Sequence, residues 1–150
     1  MNKCIGLFGS CGASRWREPF VKVYKEKNVS FYNPYKEEWK PEYVTEEAEH
    51  LASDAIILFP ITRESYALGS LAEIGFALLN LQKNPQKHLI IFIDDKLSDA
   101  LLENETLAGE SLRTRALVKA HLKQQMYLEC LHLVDSLEDM LSLSLKLYNT

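Results

Sequence analysis

The chain has 150 residues, 47% of them hydrophobic and 25% charged, with 17 Lys and Arg against 21 Asp and Glu. A net charge of −4 supplies neither the basic footprint of a nucleic-acid binder nor the polybasic patch of a membrane-surface protein. The length suits one domain, residues 1–150, with a sizeable core.

Three cysteines, Cys4, Cys11 and Cys130, are odd in number and form no C-x-x-C pair. They offer neither a disulfide framework nor zinc-ligand spacing, and they fit a reducing compartment. The longest apolar runs, such as residues 55–59, are far too short for a bilayer. Gly6, Gly9 and Ser10 interrupt what would be the apolar stretch of a leader peptide. The expectation is a cytoplasmic protein.

Taken in order, short apolar runs alternate with helical patterns. Residues 3–8 read as a strand that stops at Gly9, and residues 15–26 as an amphipathic helix. A second strand covers 29–32 and ends at the turn pair Asn33-Pro34. A charged helix over 45–52 leads into Asp54, and the continuous apolar run 55–59 reads as a parallel strand covered on both faces. Residues 69–81 read as a helix and 88–93 as a fourth strand ending at Asp94-Asp95. A helix over 111–125, a strand over 127–134 and a helix over 135–148 close the chain. The last helix opens on Asp135 and Glu138 at capping-box spacing.

Five strands alternating with five helices imply βαβ units: an α/β three-layer sandwich with a five-stranded parallel sheet, flavodoxin-like or Rossmann-like in strand order. Ligands of such folds sit at the carboxyl ends of the strands. That rule selects residues 9–17, 33–39, 60–73 and 94–95.

In the first of these, the backbone amides after Gly9, Ser10 and Gly12 can meet an anion, and Arg15 and Arg17 can add charge-assisted contacts. The loop is neither G-x-G-x-x-G nor a Walker A sequence, which disfavours hydride transfer and P-loop phosphoryl transfer. In the third, Glu73 is the one charged residue of a helix that is apolar nearly all round. A buried carboxylate costs several kcal/mol unless compensated, so it must be paired or face a cavity. Gly69 and Gly75 leave room beside it. One reading makes Glu73 a nucleophile, kept ionised by the helix N-terminus. The other makes it the far end of a Ser70-x-x-Glu73 capping box.

Together these segments resemble the nucleoside 2-deoxyribosyltransferase superfamily, and its small nucleoside 2-deoxyribosyltransferase-like branch most. The resemblance rests on Phe8-Gly9-Ser10 with Ser14 to Arg17, Tyr32-Asn33-Pro34 with Trp39 to Glu42, Ser53-Asp54-Ala55, Thr62-Arg63, Gly69 to Gly75, and Val134 to Glu138. It implies cleavage or transfer at the N-glycosidic bond of a nucleoside or nucleotide, through a covalent glycosyl ester on Glu73. It also implies an assisting acid eight residues before Asp54, which is Glu46. Ala67 stands six residues before Glu73, where transferases of the superfamily often carry a second carboxylate, and a phosphate-recognising hydrolase branch has a small residue there.

Substrate contacts are expected from Gly9, Ser10, Arg15, Arg17, Asn33, Trp39, Arg63, Gly69 and Ser70. No metal and no cofactor is implied. The expected partner is a small-molecule nucleoside or nucleotide, not a nucleic-acid polymer or a membrane. By the same resemblance the chain forms a homo-oligomer. Alternatives are hydrolysis of NAD or of a nucleoside 5′-monophosphate, and a nucleotide sensor without catalysis.

Overall fold

The computed structural model describes residues 2–150. Five strands, β1 (Asn2–Leu7), β2 (Phe31–Tyr32), β3 (Asp54–Ile61), β4 (His88–Ile93) and β5 (Leu131–Leu133), form one parallel sheet. Six helices accompany them: α1 (Arg17–Glu26), α2 (Tyr43–Ser53), α3 (Leu68–Lys83), α4 (Asp99–Leu102), α5 (Glu105–Lys123) and α6 (Leu137–Tyr148). The strand order is β2-β1-β3-β4-β5, the flavodoxin-like arrangement, whose direction reverses between β1 and β3.

Two apolar clusters make the layers. On one face, Trp16, Phe20 and Tyr24 of the α1 region and Met140 of α6 pack on Ile5, Leu7, Ile56, Leu58 and Ile90. On the other, Leu51, Leu71, Ile74, Leu81 and Leu122 pack on Phe8, Ile57, Phe59, Leu89 and Ile91. Alternate residues of β3 and β4 therefore serve opposite faces, as covered parallel strands require. Burying each of these large side chains contributes about 1.5–3 kcal/mol.

Several boundaries differ from the sequence reading, each for a physical reason. The second strand keeps only Phe31–Tyr32 of 29–32, and the fifth only Leu131–Leu133 of 127–134. Both are edge strands, which find a partner on one side only. The third strand runs on through Pro60 to Ile61. Proline is tolerated there because β1 has already ended at Leu7, opposite Leu58, so no ladder bond needs its missing N–H. Helix α5 starts six residues earlier than expected, where the Asn104 side chain accepts from the Leu107 amide. The short α4 has no counterpart in the reading. Helix α6 is capped by Ser136, which accepts from the Asp139 amide, one residue beyond the expected Asp135 box.

Helix α3 departs most. Its apolar surface reads as buried on most sides, yet Leu68, Phe76 and Leu79 are 53%, 65% and 48% exposed. Leu71, Ile74, Ala77 and Leu81 are buried in the core, and Leu78 packs against it partly buried. Among the described residues no helix is long and apolar enough to cross a membrane. The three cysteines are free thiols, Cys4 and Cys130 buried and Cys11 exposed.

Candidate active site

The chain reversal between β1 and β3 opens a cleft at the carboxyl ends of those strands, the position at which ligands of this topology bind. Its volume is about 350 Å³, and Gly9, Cys11, Arg17, Trp39, Glu47, Ser70 and Glu73 are among its walls. That is the lower end of the range for small-molecule sites.

The floor is the loop after β1. Gly9 has φ +106°, and a Cβ there would lie 2.6 Å from the Pro60 carbonyl oxygen, so only glycine lets the first loop cross β3 so closely. Ser10 is fully buried. Its amide donates to Pro60 O at 2.9 Å, and its hydroxyl accepts from the Thr62 amide at 2.8 Å. Ser10 therefore ties the β1 and β3 loops together rather than lining the cleft.

Arg17 is buried at the start of α1. It donates from Nε to Leu7 O at 2.9 Å and from Nη1 to Ser10 O at 2.6 Å, with a longer bond to Gly9 O. The guanidinium stacks on Trp16, with its central carbon 4.6 Å from the ring centroid. Three of its five N–H groups hold the loop, and two remain for the cleft. Arg17 thus fixes the loop and keeps a positive charge beside two carboxylates.

Those carboxylates are Glu73 and Glu47. Helix α3 begins after Ala67, in the left-handed region at φ 56° and ψ 34°, and no side chain caps it. Ser70 therefore lies inside the first turn, and the Ser70–Glu73 capping box does not form. Glu73 is half-buried and projects into the cleft. Burial first, and the nearby Glu47 charge second, push its pKa up to about 7, against a lowering pull from Arg17. Burial likewise raises Glu47, while Trp39 and Arg17 act the other way. Burial and like charge outweigh the helix dipole, so Glu73 is not the firmly ionised group that its place near a helix start suggests.

The other sequence candidates fall into three groups. Gly9, Arg17, Trp39, Ser70 and Glu73 meet in the cleft. Arg15 and Asn33 line a larger adjoining groove of about 890 Å³, together with Ser14, Lys22 and Lys25. Gly12, Arg17 and Tyr35 border both hollows, which are therefore continuous. In that groove Arg15 pairs with Glu18 at 3.1 Å, and the Asn33 side chain accepts from the Tyr35 amide, a local turn. Glu46, Arg63 and Gly69 stand apart. Glu46 is exposed on α2. Arg63 pairs with Asp94 at 2.9 Å and borders a separate hollow at the ends of β4 and β5. Gly69 is exposed, with open space where a Cβ would stand.

Two contributors escaped the sequence reading. Glu47 is the acid that faces Glu73, and the run of acids over residues 42–49 gave no way to single it out. Arg115 is 1% exposed. It donates to the carbonyls of Thr62, Ser65 and Asp94, and Ser111 beneath it donates to Tyr66 O at 2.8 Å. These bonds hold the loop that delivers Ala67 and hence α3.

A family model described as "Nucleoside 2-deoxyribosyltransferase like" matches residues 3–95, more than half of the chain. The matched segment carries every wall of the cleft named above. No curated protein matches the chain.

Proposed function

We propose that this chain, which belongs to the nucleoside 2-deoxyribosyltransferase-like family, cleaves the N-glycosidic bond of a nucleoside or nucleotide through Glu73. The observation that carries the reading is one cleft, at the β1/β3 reversal, into which two carboxylates project beside a buried arginine. Such a pair can divide the work of a retaining glycosidase, one acting as nucleophile and the other moving the proton.

In the first step the ionised Glu73 carboxylate attacks C1′. The C1′–O bond forms as the C1′–N bond breaks, and the bond's electron pair leaves with the base. Glu47, rather than the exposed Glu46, delivers the proton to the departing base. Trp39, Tyr35 and Pro34 at the rim offer flat surfaces for that base. In the second step water or a second base attacks C1′ from the vacated side and gives up its proton to Glu47. The ester bond then breaks and Glu73 returns as carboxylate.

The adjoining groove favours a phosphorylated substrate. Arg15, Lys22 and Lys25 line it, and the first turn of α1 opens onto it. A 5′-phosphate, or the longer diphosphate of NAD, would lie there while the glycosidic bond faces Glu73. Incubating the protein with nucleosides, their 5′-monophosphates and NAD, and separating released base by chromatography, tests the reading. Base release, fastest from a phosphorylated member, is the expected result. Binding without release from any of them would instead favour a nucleotide sensor.

The Glu73–Glu47 coupling makes a sharper expectation. A nucleophile with pKa of about 7 gives a kcat/KM that rises with pH through that value in the free enzyme. Glu47→Gln removes a like charge, which favours the ionised form of Glu73, so the acid limb moves to lower pH. The plateau itself should fall by about 10²–10⁴-fold as the proton donor is lost. A limb that stays in place would show that Glu47 does not act on Glu73.

The exposed stripe Leu68, Ala72, Gly75, Phe76 and Leu79 runs along one face of α3, at the i, i+4, i+7, i+8, i+11 spacing. An apolar strip of this kind marks an association surface, and it supports a homo-oligomer joined through α3. Phe76→Glu should convert that oligomer to monomer by light scattering, with the fold intact by circular dichroism. A wild-type chain that is monomeric at all concentrations would remove the oligomer from the account.

A further inference from the structure

At the amino end of the sheet, opposite the cleft, three metal-ligating side chains converge from three elements. Cys4 comes from β1, His50 from the last turn of α2, and Asp54 from the first residue of β3. Their donor atoms all lie within 4.8 Å of one another. The His50 Nδ1 stands 2.9 Å and 3.1 Å from the two carboxylate oxygens of Asp54. We propose that Cys4, His50 and Asp54 bind a zinc ion, which would tie β1, β3 and the end of α2 together.

Thiolate, imidazole and carboxylate are the three donor types that zinc takes, in tetrahedral geometry at about 2.0–2.3 Å. Two donors of one such ion lie about 3–4 Å apart by that geometry. The His50–Asp54 edge already meets this spacing, and the Cys4 sulfur needs a shift on the order of 1 Å at most. The scaffold is built to hold these groups still. The His50 ring stacks on Tyr32 with centroids 3.6 Å apart and planes 2° from parallel. That stacking fixes the plane of the His50 ring.

Asp54 is fully buried, and its carboxylate meets His50 and a 3.4 Å contact from the Asn2 amide. The Lys87 ammonium is buried too, but it is committed to the Leu51 and Ala52 carbonyls at the end of α2. Gly6 keeps the approach clear, because a Cβ there would stand 3.0 Å from the Asp54 Oδ2. Burial and the Asp54 charge hold the Cys4 thiol proton to about pH 11. Zinc binding would displace that proton to solvent, as metal binding to cysteine does generally. Three protein donors leave the fourth position of a tetrahedral ion for a water. The 4, 50, 54 spacing matches no zinc pattern legible in sequence, because the sheet register and not the chain brings the three together.

Cobalt(II) titrated into the purified full-length chain reads this site directly. The expected result is one equivalent bound, with a sulfur-to-cobalt charge-transfer band and the visible bands of a tetrahedral ion, both bleached by added zinc. Cys4→Ser should abolish the charge-transfer band, and His50→Ala should weaken binding at least about tenfold. The double variant Cys11→Ser with Cys130→Ser should bind as wild type does, which also separates this site from loss of fold. Absence of a thiolate band in the wild type would overturn the proposal. So would a band that survives Cys4→Ser. Because the site lies at the other end of the sheet from Glu73, either outcome leaves the glycosidic reading untouched.

Discussion

Replacing Glu73 with glutamine leaves a folded protein whose base release falls on the order of 10⁴-fold or more, the scale of losing a nucleophile that works within a concerted set. Glutamine keeps the shape and polarity of the side chain but cannot form the glycosyl ester. The same variant carries a second signature, in stability. Glu73 holds its proton up to a pH of about 7 in the folded chain, against about 4.3 in an unfolded one. The native state therefore binds more protons across that window, and ionising Glu73 costs native stability as pH rises from about 4.3 to 7. Glu73→Gln removes the cost. It should be more stable than wild type at pH 8 by about 1–2 kcal/mol, after discounting for the half-exposed position. Below pH 4 the advantage should vanish. Denaturant melts at the two pH values check it. A residue that loses activity while gaining stability sits where function overrides packing.

The second large effect lies at Arg115, which touches nothing in the cleft. Its guanidinium bonds the Thr62, Ser65 and Asp94 carbonyls and the Ser111 hydroxyl. Arg115→Met keeps most of the volume but orphans these buried acceptors, each worth about 1–3 kcal/mol when left unpaired. The expected destabilisation is about 3–5 kcal/mol, the range for breaking a buried charged network. For a domain of this size that lowers Tm by about 6–20 °C. Arg115→Lys should recover only part of it, because an ammonium cannot reproduce the planar fork. The loop that Arg115 holds leads into Ala67, whose left-handed backbone is an uncommon state for a residue with a Cβ. Once the loop relaxes, Ala67 has less reason to keep that conformation, and the start of α3 moves with it. Turnover should therefore fall faster with temperature than global unfolding does, measured by comparing activity with the thermal melt.

The central strands were legible because their physics is local. Residues 55–59 and 89–93 are unbroken β-branched and apolar runs, and a strand covered on both faces needs nothing else. Glu73 was legible for the opposite reason: one charge in an apolar helix has no cheap place to go. The acid that lines the cleft beside Glu73 is Glu47, one residue beyond the expected Glu46. On a helix one residue is about 100° of rotation, so Glu46 points to solvent and Glu47 to the cleft, and a run of four acids hides which is which. Ser10 looked like a ligand contact because serine in a glycine-rich loop often is one. Its hydroxyl accepts from the amide of Thr62, just past β3 and 52 residues away.

Arg115 was hidden for the same reason of distance. In the stretch from Ser111 to Lys119 it reads as one surface cation among several, and only the packing of α5 beneath the β3 loop turns it inward. The apolar character of α3 was read correctly, but its destination was not. Of its faces the core covers one, the cleft takes another and the third, with Leu68, Phe76 and Leu79, stays exposed.

Intact-protein mass spectrometry after brief incubation with substrate, quenched in acid, tests the central claim most directly. The account predicts a sugar-sized, or sugar-phosphate-sized, mass increase that maps by proteolysis to the peptide bearing Glu73 and is missing from Glu73→Gln. Base released by the wild type together with an adduct mapped to any other residue would contradict it.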